Sequence, residues 1–391
     1  MRIAFIVIGN SRRSNYLNGY NIRYGNGSGS GTDTSCILVA EYLAKQGHDV
    51  VFVTDKLEPQ LEEEYKKRGI VYTPGNEFYG VKYTNIDFEG IENKEFDVLI
   101  SMLWFHDYAK LPIKVTKSII YWSHMQWIYG LNEIIDFAKE NNLSLRVVNI
   151  SEWERKMNND TLEVFRSNYS NTKTYTIPNP IMDEIVEEVL KKNHIKKPHK
   201  FSFHASWARG GNVAIDAVRK LNFKDTEFHA FDYLITIHPH EDNFFHQHDG
   251  VDKKTLFTHL AESEYFIYPL YTPYKNIHKD TFSCVVAEAI ALGAIVITYP
   301  FGALPENFDG YCVWLDLPPN SRELSIIQKE SLSPDEEGIY TYTDNIVEKI
   351  KYLEEHPEIK ETIRKTGKEY ILSNFSINKV GKMWDTVIQE L

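Results

Sequence analysis

Two acids with seven residues between them carry the clearest chemical signal in the chain: Asp280 and Glu288, within Asp280-Thr-Phe-Ser-Cys-Val-Val-Ala-Glu288. A small-residue turn separates them. A short amphipathic helix follows, ended by Gly293, and then the apolar run Ala294 to Thr298. This order places Phe282 and Ser283 at a helix start. First-turn N–H groups have no acceptor inside the helix, and the helix dipole favours an anion beside them. Thr281, Phe282, Ser283 and Cys284 are therefore candidates for gripping a diphosphate. Glu288 lies about one and a half turns further in, at about 100° per residue. A carboxylate there can reach a ribose diol.

A second phosphate candidate is Arg209, in Ala205-Ser206-Trp-Ala-Arg209-Gly210-Gly211. A forked donor before a glycine pair at a helix start suits a phosphate oxygen. The competing reading is a solvated surface arginine. Near the N-terminus, Gly25, Gly27, Gly29 and Gly31 alternate within a polar stretch, 10–34, that reads as one long loop. Gly29, Ser30 and Gly31 are candidates for close approach to a phosphate, against the alternative of a flexible loop with no ligand. His124, in Ser123-His124-Met125, falls just past a strand end, where open α/β sheets bind ligands. A packed histidine among Trp122 and Trp127 is the equal alternative, and His106 is a second choice.

The elements that position these residues alternate strand and helix. Residues 2–8 read as a buried strand, 34–46 as a helix ended by Gly47, and 48–54 as a second strand. Further strands are expected at 96–103, 118–122 and 145–150, with Ser151 and Glu154 as a capping box. Pro178 and Pro180 stiffen the next segment, and a helix-like 184–192 with basic Lys196-Lys197 reads as a linker. A second series follows: strand 200–204, helix 213–221, strand 227–233, loop 238–252, strand 265–270, then helices at 343–355, 358–373 and 377–391. The expected domains are 1–178, a linker at 179–199, 200–373, and a terminal helix at 374–391 that packs back on the first domain.

Several of these stretches together resemble one family. The acid pair resembles the E-x7-E signature of the GT4-like retaining glycosyltransferases of the GT-B fold, with Asp280 at the first position. Gly29-Ser-Gly31-Thr, the helix after it and Gly47-His-Asp-Val resemble their first βαβ unit. Gly302-Ala-Leu-Pro305-Glu306 resembles their Gly-x-Pro-Glu turn, and Gly250-Val251 the turn that holds the nucleotide base. The resemblance implies an α/β protein of two Rossmann-like domains facing across a cleft. It implies a donor-binding set of Gly29, Ser30, Gly31, Ser206, Arg209, Gly250, Val251, Thr281, Phe282, Ser283, Cys284 and Glu288. It also implies catalytic roles for His124 and Asp280, and an acceptor contact at Glu306. The donor it implies is a UDP- or GDP-linked sugar, passed with retention to a carbohydrate or glycolipid. Where relatives place two basic residues, only Arg209 is evident, with His204 or Ser206 in the earlier region.

Composition bounds the rest. The chain has 391 residues, enough for two domains, with 42% hydrophobic and 25% charged residues. A formal net charge of −12 argues against a nucleic-acid partner. Cys36, Cys284 and Cys312 lie far apart without a Cys-x-x-Cys pattern, which argues against a disulfide framework and for a cytoplasmic location. No apolar run matches a membrane span, though the many aromatics leave peripheral membrane contact open. His238, His240, His246 and His248, with Glu241 and Asp242, form His-x-His pairs. GT-B enzymes generally need no metal for chemistry, so neither a metal nor another cofactor is expected. The alternatives are a nucleotide-sugar epimerase, a non-catalytic sugar-nucleotide-binding subunit, and a nicotinamide dehydrogenase, whose shorter glycine fingerprint this loop does not fit.

Overall fold

Runs of β-branched and aromatic residues become strands, and segments with apolar residues three and four apart become helices. The computed structural model describes residues 1–8, 17–25, 30–56, 63, 67, 75–102, 107–128, 130–231, 242–248, 250–270, 279–316 and 336–391. They form two compact units, Met1–Met182 with Asn374–Leu391, and Asp183–Ser373.

Unit 1 contains β1 (Arg2–Ile6), α1 (Asn21–Tyr24), α2 (Gly31–Lys45), β2 (Asp49–Thr54), β3 (Glu77–Phe78), β4 (Val81–Asn85), β5 (Glu95–Met102), β6 (Lys114–Trp122), α3 (Leu131–Glu140), β7 (Ser144–Asn149), α4 (Glu152–Met157), α5 (Asn159–Asn168) and β8 (Thr172–Thr176). The sheet order is β3-β4-β2-β1-β5-β6-β7-β8. All neighbours are parallel except β3 with β4. The central strands are buried on both faces, which explains their continuous apolar sequences.

Unit 2 contains α6 (Asp183–Leu190), β9 (Lys197–His204), α7 (Gly211–Leu221), β10 (Glu227–Phe231), β11 (Phe245–His248), α8 (Lys253–Glu262), β12 (Ser263–Tyr268), α9 (Cys284–Ala291), β13 (Ile295–Thr298), α10 (Leu304–Phe308), β14 (Val313–Trp314), α11 (Glu336–Glu355) and α12 (Pro357–Phe375). Its parallel sheet runs β11-β10-β9-β12-β13-β14. This is the dinucleotide-fold order, with two strands laid to one side of the first strand, β9, and three to the other.

The last helix, α13 (Ile377–Gln389), belongs to unit 1. Trp384 meets Trp122 edge-on at 4.5 Å, and the Tyr42 hydroxyl donates to Asp385 at 2.7 Å. Gly381 lets this helix approach α2. A Cβ there would lie 2.5 Å from the Tyr42 ring.

Four sequence expectations change. Residues 10–34 are not one loop, because α1 lies within it and α2 starts at Gly31. Buried Arg23 anchors α1, pairing with Glu41 at 2.7 Å and donating to the Gly19 carbonyl at 2.8 Å. Residues 238–252 are not all loop, because β11 adds as an edge strand. Lys196 is not a solvated linker charge. Its ammonium donates to the carbonyls of Leu260, Ser263 and Leu292 at 3.1, 2.9 and 2.9 Å, tying down the ends of α8 and α9. The helix after Ser283 is not amphipathic. All its residues but Val285 are buried, because β13, α8 and α12 all pack against it.

Candidate functional site

The strand order of unit 2 reverses between β9 and β12. In open α/β sheets, ligands bind beyond the carboxyl ends of the strands at such a point. Arg209 comes from the turn after β9, within the 3-10 segment Trp207–Arg209. Tyr268 ends β12, and Asp280 stands just before α9. Arg209 Nη1 donates to the Tyr268 hydroxyl at 3.0 Å and to Asp280 Oδ1. The Tyr268 hydroxyl donates to Asp280 Oδ2 at 2.9 Å. Asp280 is 8% exposed. A carboxylate so nearly buried needs partners, and Arg209 and Tyr268 supply them. Burial and the neighbouring carboxylate push the Tyr268 phenol well above its ordinary range. It remains a donor at any physiological pH.

Gly302 holds Asp280 from the other side. The Ala303 N–H donates to the Asp280 carbonyl at 2.8 Å. A Cβ on Gly302, whose φ is +65°, would lie 2.3 Å from that oxygen and 2.8 Å from the Asp280 nitrogen. Gly302→Ala is expected to destabilise unit 2 by about 2–4 kcal/mol, since left-handed strain and the backbone clash add. Thermal unfolding checks the loss, and turnover should fall with it as Asp280 moves.

Helix α9 begins after Ser283, one residue later than expected, with Ser283 at φ +77° and ψ +82°. The Ser283 side chain makes no capping bond to the helix, and a helix-start bond runs from Ala287 N–H to the Ser283 carbonyl at 3.3 Å. Such a conformation costs a non-glycine residue about 1–3 kcal/mol and is retained where surroundings enforce it. Phe282 is a core residue, edge-on to Phe308 at 5.7 Å. Its ring serves packing. Thr281 and Ser283 are half-buried and Cys284 is buried.

Glu288 lies deeper and meets a partner the sequence reading missed. Lys253 Nζ sits 3.1 Å from Glu288 Oε1, with both side chains 3% exposed. Lys253 opens α8 behind the N-cap Asp252, whose carboxylate accepts from Thr255 N–H at 2.9 Å. A basic residue in a helix's first turn runs against the helix dipole, and that was the signal available. Tyr268 was also missed; an aromatic ending a strand just before Pro269 was its mark. Next to Lys253 stands His204, at the end of β9. Burial first, and the Lys253 charge second, push its imidazole down to about 3. Its Nδ1 has no hydrogen-bond partner among the described residues.

The other site residues are dispersed. Ser206 precedes the Trp207–Arg209 turn, and Gly250-Val251 leads into α8. Glu306 is exposed on α10. In unit 1, Ser30 caps α2, accepting from Asp33 N–H at 3.3 Å while Asp33 accepts from Ser30 N–H at 2.9 Å, and Gly31 is the first helical residue. Gly29 and His106 lie outside the described residues. His124 follows β6, 7% exposed, its ring 4.9 Å from that of Trp122. Burial pushes it down to about 3, so it is a neutral imidazole at physiological pH. Glu154 braces this strand end. It accepts from Ser123 Oγ at 3.0 Å and from Ile150 N–H at 2.6 Å, while its own N–H donates to Ser151 Oγ at 3.0 Å. The expected capping box is thus half-formed, because the carboxylate turns inward to tie β6 to β7.

No family model matches the sequence, and no curated protein is similar to it. Solved structures are similar along the whole chain. A sucrose-phosphate synthase from Thermosynechococcus elongatus matches with a TM-score of 0.62 at 12% identity, covering 100% of this chain and 98% of its own. HepE of Anabaena, in complex with UDP-glucose, matches at 0.58 and 12% identity, covering 100% of both chains. An alpha-glucosyltransferase bound to UDP-glucose and to DNA containing an abasic site matches at 0.58 and 11%, covering 100% of this chain and 99% of that one. The chain has the GT-B fold.

Within this GT-B chain, no helix among the described residues is long and apolar enough to cross a membrane. The buried histidines predict how stability follows pH. His124 and His204 have folded pKa values near 3, below the unfolded value of about 6.5. The unfolded chain therefore binds more protons between those limits. Stability is full above about pH 6.5 and falls on acidification, by up to about 1.4 kcal/mol per pH unit for each fully buried imidazole. Thermal unfolding between pH 7 and pH 5 should show the loss, and His124→Gln should reduce it.

Proposed function

We propose that this protein is a retaining glycosyltransferase of the GT4 type, moving a sugar from a UDP- or GDP-linked donor to a carbohydrate or glycolipid hydroxyl. The observation that carries this is the convergence of Arg209, Tyr268 and Asp280 at the strand-order switch of unit 2, beside the start of α9. That HepE and the alpha-glucosyltransferase hold UDP-glucose supports the same donor class.

Unit 2 takes the nucleotide. Thr281, Ser283 and the first-turn N–H groups of α9, with Ser206 and Arg209, hold the diphosphate, and Gly250 and Val251 approach the base. Glu288 accepts from the ribose hydroxyls and is aimed by Lys253, 3.1 Å away. In unit 1, Gly29, Ser30 and Gly31 are the remaining donor-contact candidates. As the sugar–phosphate bond breaks, charge gathers on the departing diphosphate, and Arg209 with the helix start stabilises it. The acceptor oxygen attacks the anomeric carbon from the face the phosphate leaves, and its proton passes to a phosphate oxygen. Asp280 orients the sugar, neutral His124 donates a hydrogen bond to it, and Glu306 meets the acceptor. The transfer uses no metal.

Thermal-shift screening of the full chain against UDP-, GDP-, ADP- and dTDP-sugars tests the reading, followed by product analysis with sugar acceptors. One nucleotide series should raise the melting temperature, and its sugar should be transferred with retained configuration. If no series shifts the transition and no nucleotide is released, the reading fails.

A further inference from the structure

A group of histidines in unit 2 plays no part in that chemistry. His229 on β10, His248 on β11 and His259 on α8 each offer a ring nitrogen, all within 4.8 Å of one another. This is not the set that adjacent His-x-His spacing suggests. His238 and His240 lie outside the described residues, and His246 is exposed, stacked on His229 at 4.8 Å. The cluster is assembled by the parallel pairing of β10 with β11, which sets Phe231 beside His248 and His229 beside His246.

The hydrogen bonds decide which nitrogens face one another. Glu227 Oε2 lies 3.0 Å from His229 Nε2. An ionised carboxylate only accepts, so His229 carries its proton on Nε2 and turns the lone pair of Nδ1 inward. His229 Nδ1 lies 2.9 Å from His248 Nε2. His248 must therefore donate across that gap, and one tautomeric shift frees its lone pair. A carboxylate behind one imidazole is the outer-shell arrangement that orients metal-bound histidines.

We propose that His229, His248 and His259 bind one divalent transition-metal ion, zinc being the best fit. The ion clasps β10, β11 and α8, and Glu227 orients the first ligand. Zinc–nitrogen bonds of about 2.0–2.1 Å put tetrahedral ligand atoms about 3.3 Å apart, a modest tightening of the present spacing. Three neutral imidazoles suit zinc, nickel, copper or cobalt and discriminate against magnesium and calcium. Water takes the fourth position. The charges facing the cluster nearly cancel. Lys200 Nζ lies 3.4 Å from His259 Nδ1 but is paired with Glu262 at 2.8 Å, Lys197 shares Glu262 at 3.4 Å, and Glu227 backs His229. His229 lies in the middle of β10 and His248 ends β11, level with Phe231, so the ion would pin the edge strand β11 to β10 and α8.

The test uses the full chain without an affinity tag, stripped with chelator and titrated with Zn²⁺ and Co²⁺. One ion per chain should bind with a Kd of about 1 µM or tighter. Co²⁺ should give the visible absorption of a four-coordinate site, and Zn²⁺ should raise the melting temperature. His259→Gln should abolish the cobalt spectrum. The milder Glu227→Gln, at a half-exposed position, should keep the fold and weaken binding about 10–100-fold. His246→Gln and the double variant His238→Gln/His240→Gln should bind as the parent does. Absence of one-to-one binding overturns the proposal. So does loss of binding in the His238→Gln/His240→Gln variant with retention in His259→Gln.

Discussion

Glu288→Gln is expected to remove the rise in melting temperature that the donor nucleotide gives the parent chain. At a hundred times its Kd, a ligand specific for the folded state stabilises by about 2.7 kcal/mol. A hundredfold weaker Kd leaves about 0.4 kcal/mol of that. In the proposed ribose contact a carboxylate would face two hydroxyls, and the amide replaces one acceptor with a donor. The substitution also acts on the fold. Lys253 and Glu288 are buried together, and leaving the ammonium without its carboxylate costs about 3–5 kcal/mol. A second variant separates the two effects. Lys253→Met combined with Glu288→Gln removes the uncompensated charge and should recover most of the unfolding temperature, yet it should still show no nucleotide shift. A full shift in that double variant would sink the ribose assignment while leaving the ion pair's structural role intact.

Arg209→Ala should lower kcat by about a hundred- to a thousandfold, the range for removing a preplaced donor from a charge that develops in the transition state. Donor affinity should fall less than tenfold, because on the proposed reading the helix start would still hold the ground-state diphosphate. Arg209→Lys should recover only part of the rate. An ammonium lacks the planar fork that serves Tyr268, Asp280 and a phosphate oxygen together. Asp280→Ala should keep nucleotide binding and lose turnover. Equal drops in stability and rate for Arg209→Ala, with kcat restored on cooling, would reduce the arginine to a structural partner of Asp280.

Legibility in the sequence followed burial. Most central strands were readable within two residues, because a strand covered on both faces must be apolar throughout; β6 and β9 start four and three residues earlier than expected, at Lys114 and Lys197, where their first residues are polar. The edge strands were not readable. β8, Thr-Lys-Thr-Tyr-Thr, is half-buried or exposed all along, and β11, Phe-His-Gln-His, was absorbed into a loop. Polar edge strands carry no periodic signal against their turns. The start of α9 was placed within one residue, because turn chemistry and helix period are local. Its all-round burial was not visible, since Ala, Val and Ile recur there without a polar face to contrast.

What the sequence determined by itself was local: alternating strands and helices, glycine-marked helix ends, and an acid pair set around a helix start. What only the tertiary structure decided was partnership. Arg209 and Asp280 are 71 residues apart, and Lys253 and Glu288 are 35 apart. Each pair exists because the sheet order of unit 2 lays β9 beside β12 and α8 near α9. The histidine cluster depends in the same way on β11 joining as an edge. Spacing along a chain reports which face of one element a side chain occupies. Sheet order decides what that face meets, and charge pairing across strands leaves no periodic trace in the sequence.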